Sequence, residues 1–299
     1  LPEVEDNGTR IIWPESAVSR ELWVSGDGPD RSLGNVDVVF PILHGPYGED
    51  GTIQGMLTLM DLPFVGSGVL ASSVGMDKHF TKTVLQAAGI PVAPWRTVKR
   101  YDWRMRPQAV LAMAEQMTLP VFVKPARAGS SVGVSKVSEW SQLSAALESA
   151  FAEDDHVLVE AGIAGREVEC AVLQGYPGAP ARASVGGEIV VTGRDFYDFE
   201  AKYLDAPGID LVCPAVLSVD ELAELQRLSI RAFEAINGAG LARVDFFLTA
   251  DGFVLNEINT MPGFTPISMF PRCWQASGVS YPELVDELIQ VALAHHAAD

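Results

Sequence analysis

The chain has 299 residues, of which 48% are hydrophobic, and its formal net charge is −18. That length allows two or three compact units or one large α/β enzyme, and so acidic a surface disfavours nucleic acid and anionic membrane as partners. Cys170, Cys213 and Cys273 give neither a disulfide framework nor a zinc spacing, no apolar run reaches membrane-spanning length and no signal-peptide pattern opens the chain, so a cytoplasmic protein is expected.

Residues 1–35 are weakly patterned, with Pro, Gly and charge scattered through them. Val36–Phe40 is a short buried-strand candidate, and Ile53, Met56, Leu57 and Met60 give 52–60 a helical spacing. Val65-Gly66-Ser67-Gly68 is a turn-rich break. A helix is predicted over 77–88, capped by Asp77, with Phe80, Val84, Leu85 and Ala88 on one face and Gly89 and Pro91 stopping it. A strand at 121–124 runs into a loop at 125–133, and a helix follows at about 139–151. Strands are predicted at 157–160 and 167–173, whereas 175–214 reads as a mostly irregular, mobile segment. Ser218 and Glu221 form a capping box for a helix through Ile236, and a closing helix spans 281–294 with Pro282 in its first turn. Strands and helices alternate loosely with at least one hairpin, which argues α/β or α+β with mixed sheets.

The densest chemistry lies in LARVDFFLTADGFVLNEINTMPG at 241–263. Val244, Phe246 and Leu248 alternate with Arg243, Asp245 and Phe247, as in a half-buried strand, and Thr249–Gly252 supplies a turn. With a loop at Ala250–Gly252, Asp245 lies opposite Glu257 and Arg243 opposite Asn259, all four on one face. Facing carboxylates repel, and a divalent cation between them removes that cost. Mg²⁺ takes oxygen ligands at roughly 2.1 Å from one or two carboxylates plus substrate phosphates, and Asp245, Glu257 and Asn259 supply such oxygens. The alternative is a solvated hairpin face with a surface Arg–Asp pair.

The second signal is VFVKPARAGSSVGVSKV at 121–137. A strand delivers Lys124 to a loop in which Gly129, Ser130, Ser131 and Gly133 can offer N–H groups and hydroxyls to phosphate oxygens. The loop is neither a Walker sequence nor a dinucleotide fingerprint, and alone it reads equally well as an ordinary glycine-rich turn. It coincides, however, with segment 116–138, which holds Lys124, Arg127 and Lys136 and no acidic residue. Glu160 and Glu167 are acceptors suited to an adenine amino group and ribose hydroxyls, although isolated glutamates are more often solvated.

Taken together, HGPYGEDGTIQG at 44–55, GMDK at 75–78, VKPARAGSSVGVSKV at 123–137, FYDFEAKY at 196–203, RVDFFL at 243–248 and NEINTMPGFTPIS at 256–268 resemble the D-alanine–D-alanine ligases of the ATP-grasp superfamily, in the family's order and over roughly 36–290. The resemblance implies an ATP-grasp fold with nucleotide between two mixed or antiparallel sheets, plus a partial N-terminal α/β domain. Its units would be 1–74, a small lobe at 75–160 and a large lobe at 161–299 with a lid at about 184–214 and the metal hairpin at 241–260. It implies ATP-dependent joining of two D-alanines through an acylphosphate, for peptidoglycan precursors, by a cytoplasmic homodimer. Asp245, Glu257 and Asn259 would hold two Mg²⁺ (or Mn²⁺) ions, and Lys78, Lys124 and Ser131 would contact the ATP phosphates. Glu160, Ala161, Ile163, Glu167, Phe247 and Asn256 would surround adenine and ribose. Arg243 and the Gly263 N–H would form an oxyanion hole, Ser268 and Met269 would receive the second D-alanine, and His44 would lie near the substrates. From the lid, Lys202 would reach the γ-phosphate, and Tyr203 would cover the first D-alanine and bond Ser130. A lysine often follows the family's first adenine-side glutamate, whereas Ala161 stands there in this chain. The family's G-G-x-S-x-E-H-x-x-S segment has no counterpart in 1–35, so the unit that carries it is expected to be missing from this sequence.

Three alternatives remain open on sequence. One is D-alanyl-D-serine or D-alanyl-D-lactate synthesis, although Tyr203 favours an amine over a hydroxyl nucleophile. The others are an ATP-grasp ligase for a different carboxylate and amine, and a silent nucleotide-binding fragment.

Overall fold

The computed structural model describes residues 6–129, 132–191 and 209–298. Their strands form three antiparallel sheets. The first contains β1 (Arg10–Ile12), β2 (Glu21–Ser25) and β3 (Arg31–Asn35) in that order. The second has four strands in the order β4 (Trp95–Lys99), β7 (His156–Ala161), β5 (Val121–Pro125), β6 (Ser135–Val137). The third has five, in the order β10 (Ile209–Val212), β9 (Arg182–Val191), β8 (Arg166–Leu173), β11 (Leu241–Thr249), β12 (Gly252–Asn259). Helices α1 (Thr52–Leu59), α2 (Val69–Met76) and α3 (Lys78–Ala87) lead into the four-stranded sheet, which carries α4 (Arg100–Met105), α5 (Pro107–Ala114) and α6 (Leu143–Glu153). The larger sheet carries α7 (Val219–Ala235), α8 (Met269–Ala276) and α9 (Tyr281–His296). Among the described residues no helix is long and apolar enough to cross a membrane.

Side-chain alternation divides the five-stranded sheet into two faces. Val168, Cys170, Val172, Val244, Phe246, Leu248, Phe253, Leu255 and Ile258 point to one core, where they meet Leu225, Ala232 and Phe233 of α7. On the opposite face Ala171, Leu173, Ile189 and Leu241 pack under α8 and α9, against Met269, Phe270, Trp274 and Leu284. On β8 that packing ends at Ala171, whereas on β9 it continues to Ile189. Arg243 and Asn259, in the row of Ala171, and Glu167, Glu169, Asp245 and Glu257 beyond them occupy the same face outside either core cluster.

Four expectations need correction. Residues 10–35 hold a three-stranded meander whose strands are exposed or half-buried throughout, so they lack the apolar alternation that would reveal them. Val36–Phe40 is not a strand; one parallel bridge, Val39 to Phe64, joins it to its neighbour. The segment 175–214 is more regular than expected, with β9 and β10 paired from Ile209–Val191 to Val212–Glu188. Gly186 and Gly187 interrupt the β9 apolar pattern for a packing reason. A Cβ at Gly186 would lie 2.9 Å from the Leu225 side chain of α7, and one at Gly187 would run into Met269 of α8. The remainder of the expected lid, 192–208, lies outside the described residues. Finally, α3 starts as predicted, with Asp77 accepting from the His79 and Phe80 N–H groups, but its buried stripe is Thr81, Lys82 and Leu85, and Phe80 is exposed.

The glycine pair is testable. Gly187→Val should lower unfolding stability by about 1–3 kcal/mol through overpacking, measured as a shift in the urea midpoint, whereas Gly28→Ala, which meets no neighbour within 4 Å, should be close to neutral.

Candidate active site

The hairpin β11–β12 has the pairing expected from sequence, by a different route. The turn holds two residues, because Thr249 pairs with Gly252. A register shift then falls between Asp245 and Phe246, which oppose Glu257 and Leu255, so that Asn256 is the extra residue of a β-bulge. The shorter turn and the bulge cancel, and Asp245 still faces Glu257 while Arg243 faces Asn259. The bulge leaves Asn256 beside Glu257 and Asp245 in the lining of one cleft, together with Glu167, Glu169 and Phe247.

Glu169 is a site residue that the sequence reading missed. Asp245 pairs with Glu169 on β8 and with Glu257 on β12, so three carboxylates stand in one row across three strands. Glu169 lies two residues beyond Glu167, a same-face spacing that was legible in the sequence. Arg243 sits beside this row. Its Nε is 2.8 Å from Asp245 Oδ1 and 3.2 Å from Glu169 Oε2, and its Nη2 is 2.7 Å from Asp245 Oδ2. Burial works against the Arg243 charge, but Asp245 and Glu169 outweigh it and hold the guanidinium protonated well above its ordinary range. Asn259 Nδ2 donates to Asp245 Oδ2 at 3.0 Å.

Among the described residues, Arg243 is bonded to two of these three carboxylates, Glu169 and Asp245. Among the described residues no three acidic, His or Cys side chains are gathered as a ready-made metal cage. Mg²⁺ is commonly held by one or two carboxylates and completed by substrate phosphates and water. The oxygen-only donors Asp245, Glu257 and Asn259 fit such an ion.

The opposing wall comes from the four-stranded sheet and α3. Val157 and Val159 of β7 face α6, so Glu160 points the other way. Lys124 Nζ of β5 is 3.0 Å from Glu160 Oε1, and Lys82 Nζ of α3 is 3.0 Å from Oε2. Burial raises the Glu160 pKa, but the two lysines outweigh it and keep the carboxyl below its usual range. Lys82, a second missed residue, also feels the field of Glu257, which links the two walls. Lys78 Nζ donates to Ala128 O of the glycine-rich loop at 2.6 Å. The four residues 162–165, including Ile163, join the two sheets, and the Ala161 N–H is bonded to Pro94 O at 2.9 Å.

Gly263 closely approaches Ser268, whose Oγ accepts from the Thr265 N–H at 3.2 Å. Ser268 caps α8, and Met269 is its buried first residue. His44 is exposed in a turn in which the Gly45 N–H donates to Glu49 Oε2 at 2.6 Å. Burial raises the Glu49 pKa against that bond, and Glu49 senses both Glu257 and Arg243. It is a third residue overlooked within HGPYGEDG. Ser130, Ser131, Lys202 and Tyr203 lie outside the described residues.

The D-ala D-ala ligase C-terminus model matches residues 84–290, and the D-ala D-ala ligase N-terminus model matches 9–67. The chain belongs to the D-alanine–D-alanine ligase family. The N-terminal match reaches into the stretch before residue 36 in which no motif could be placed. A D-alanine–D-alanine ligase of Kocuria rhizophila is 57% identical over 87% of this chain and 68% of its own length, and that of Kineococcus radiotolerans is 51% identical over 98% and 80%. Among solved structures, the D-alanine–D-alanine ligase of Coxiella burnetii is 38% identical with a TM-score of 0.75, over 93% of this chain and 76% of its own. The VanG D-Ala:D-Ser ligase of Enterococcus faecalis is 35% identical with a TM-score of 0.83, over 94% and 79%. The fold is therefore the ATP-grasp fold, and the ligase family's shared chemistry is ATP-dependent.

Arg243 is the sole cation bonded within the carboxylate row among the described residues. Arg243→Ala in metal-free protein should cost about 3–5 kcal/mol, the range for removing one partner of a buried ion pair. Added MgCl₂ should raise the variant's Tm more than the wild type's. Equal Tm values for the two proteins without metal would contradict this.

Proposed function

We propose that this chain is the ATP-dependent ligase that joins two D-alanines into D-alanyl-D-alanine for peptidoglycan precursors. The observation that carries the reading is the patch on which Glu169, Asp245 and Glu257 form a row beside Arg243. Such a patch can neutralise a transferring phosphoryl group and an oxyanion in one place.

In this reading Lys78, Lys124 and Ser131 hold the phosphates. Glu160, Ala161, Ile163, Glu167, Phe247 and Asn256 enclose adenine and ribose. Asp245, Glu257 and Asn259 would hold two Mg²⁺ ions, which would supply charge neutralisation to the ATP phosphates. The carboxylate of the first D-alanine attacks the γ-phosphorus, ADP leaves, and an acylphosphate forms. The second D-alanine, its carboxylate received by Ser268 and the Met269 N–H at the start of α8, adds its amine to the acyl carbon. The side chain of Met269 is packed in the core, which leaves its backbone for this task. The negative charge that develops on the acyl oxygen is met by Arg243 and the Gly263 N–H, and collapse releases phosphate and dipeptide. Ser130, Tyr203 and Lys202 close over the acylphosphate and limit its hydrolysis, and His44 stands at the substrate entrance. The protein acts as a homodimer in the cytoplasm, where ATP is supplied.

The test is product analysis with ATP, MgCl₂ and D-alanine whose carboxylate carries ¹⁸O. One ADP per D-alanyl-D-alanine and one ¹⁸O in the released phosphate are expected. ADP without dipeptide, or unlabelled phosphate, would contradict the mechanism. A D-alanyl-D-serine or D-alanyl-D-lactate product in preference to the dipeptide, in mixtures of the acceptors, would contradict the assigned second substrate.

A further inference from the structure

The four-stranded sheet and α3 bury two lysines around one carboxylate. Glu160 is 3% exposed in its side chain, Lys82 2% and Lys124 15%. One carboxylate needs one counter-ion. A second ammonium sealed beside it adds an unmatched positive charge in a poorly solvated place, which proteins avoid without a compensating reason. The cost is visible in Lys82, whose pKa is pulled down by burial and also by Lys124, against the pull of Glu160. Its ammonium lies in ion-pair contact with Glu160, in a geometry that completes no hydrogen bond.

The two lysines are held differently. Lys82 is on the buried stripe of α3, between Thr81 and Leu85, with no route to the cleft surface. Lys124 is near the end of β5, one residue before the chain enters the glycine-rich loop, and it is the more exposed of the two. If Lys124 turned from Glu160 towards an anion in the cleft, Lys82 would remain at 3.0 Å from the other carboxylate oxygen.

We infer that Lys82 is the fixed counter-ion of Glu160, whose presence allows Lys124 to leave that carboxylate and bind a nucleotide phosphate. Lys82 is thus a positioning residue that acts through Lys124 and touches neither substrate. The inference rests on the proposed role of Lys124 at the phosphates. It makes the surplus positive charge intelligible, because the cluster is electrically complete only when an anion arrives. Without Lys82, Lys124 would be retained by Glu160 and its contribution to phosphate binding would be lost.

A double-mutant cycle on MgATP affinity, measured by calorimetry on this chain, separates this role from simple packing. In the wild-type background, Lys124→Met should weaken MgATP binding by about 10- to 100-fold, as for loss of a hydrogen bond to a charged group. In the Lys82→Met background the same change should weaken it less than about threefold, and Lys82→Arg should restore the full effect. Equal losses in both backgrounds would overturn the inference while leaving Lys124 at the phosphates. No loss from Lys124→Met in the wild type would overturn both the inference and the reading on which it rests. Should Lys82→Met fail to fold, Glu160→Gln removes the charge that requires a counter-ion. With Glu160→Gln in place, Lys82→Met should then change MgATP affinity by less than about threefold, and a tenfold further loss would overturn the inference.

Discussion

Three carboxylates from three adjacent strands, Glu169, Asp245 and Glu257, share a face of the large sheet with one guanidinium. Helices α8 and α9 cover β8 and β11 as far as Ala171 and Leu241, and the opposite face is sealed by α7. Glu169 and Asp245 are buried and Glu257 is half-buried, so charge in this row is poorly screened. The bulge at Asn256 keeps Glu257 in the row despite the two-residue turn.

In the small lobe, Lys82 and Lys124 share Glu160, and Lys78 lies against the glycine-rich loop. Among the described residues, one wall is rich in carboxylates and the other in lysines. A magnesium nucleotide carries both signs in one ligand, the metal for the acidic row and the phosphates for the lysines. The two sheets that present these walls are joined by residues 162–165.

Much of this was legible in the chain itself. Alternation of Val244, Phe246 and Leu248 with Arg243, Asp245 and Phe247 identified the β11–β12 hairpin and the pairing of Asp245 with Glu257, since a strand with one buried face has little freedom to slip. Asp77 and the Ser218–Glu221 box announced their helices because capping is a local interaction. The misses share a cause, which is that they depend on partners distant in sequence. Glu169 joins the row only through β8–β11 pairing. Lys82 is buried because Glu160, far along the chain, receives it, whereas a pattern based on hydrophobicity places Phe80 inside instead. Strand β9 was hidden by Gly186 and Gly187, whose small size is required by helices packed on opposite faces.

The account is tested most directly by a crystal structure with Mn²⁺ and a non-hydrolysable ATP analogue. It predicts an anomalous peak within about 2.0–2.3 Å of oxygens from Asp245 and Glu257, with analogue phosphate oxygens completing the coordination. An analogue bound elsewhere, or bound in the cleft with no ion at these carboxylates, would contradict it.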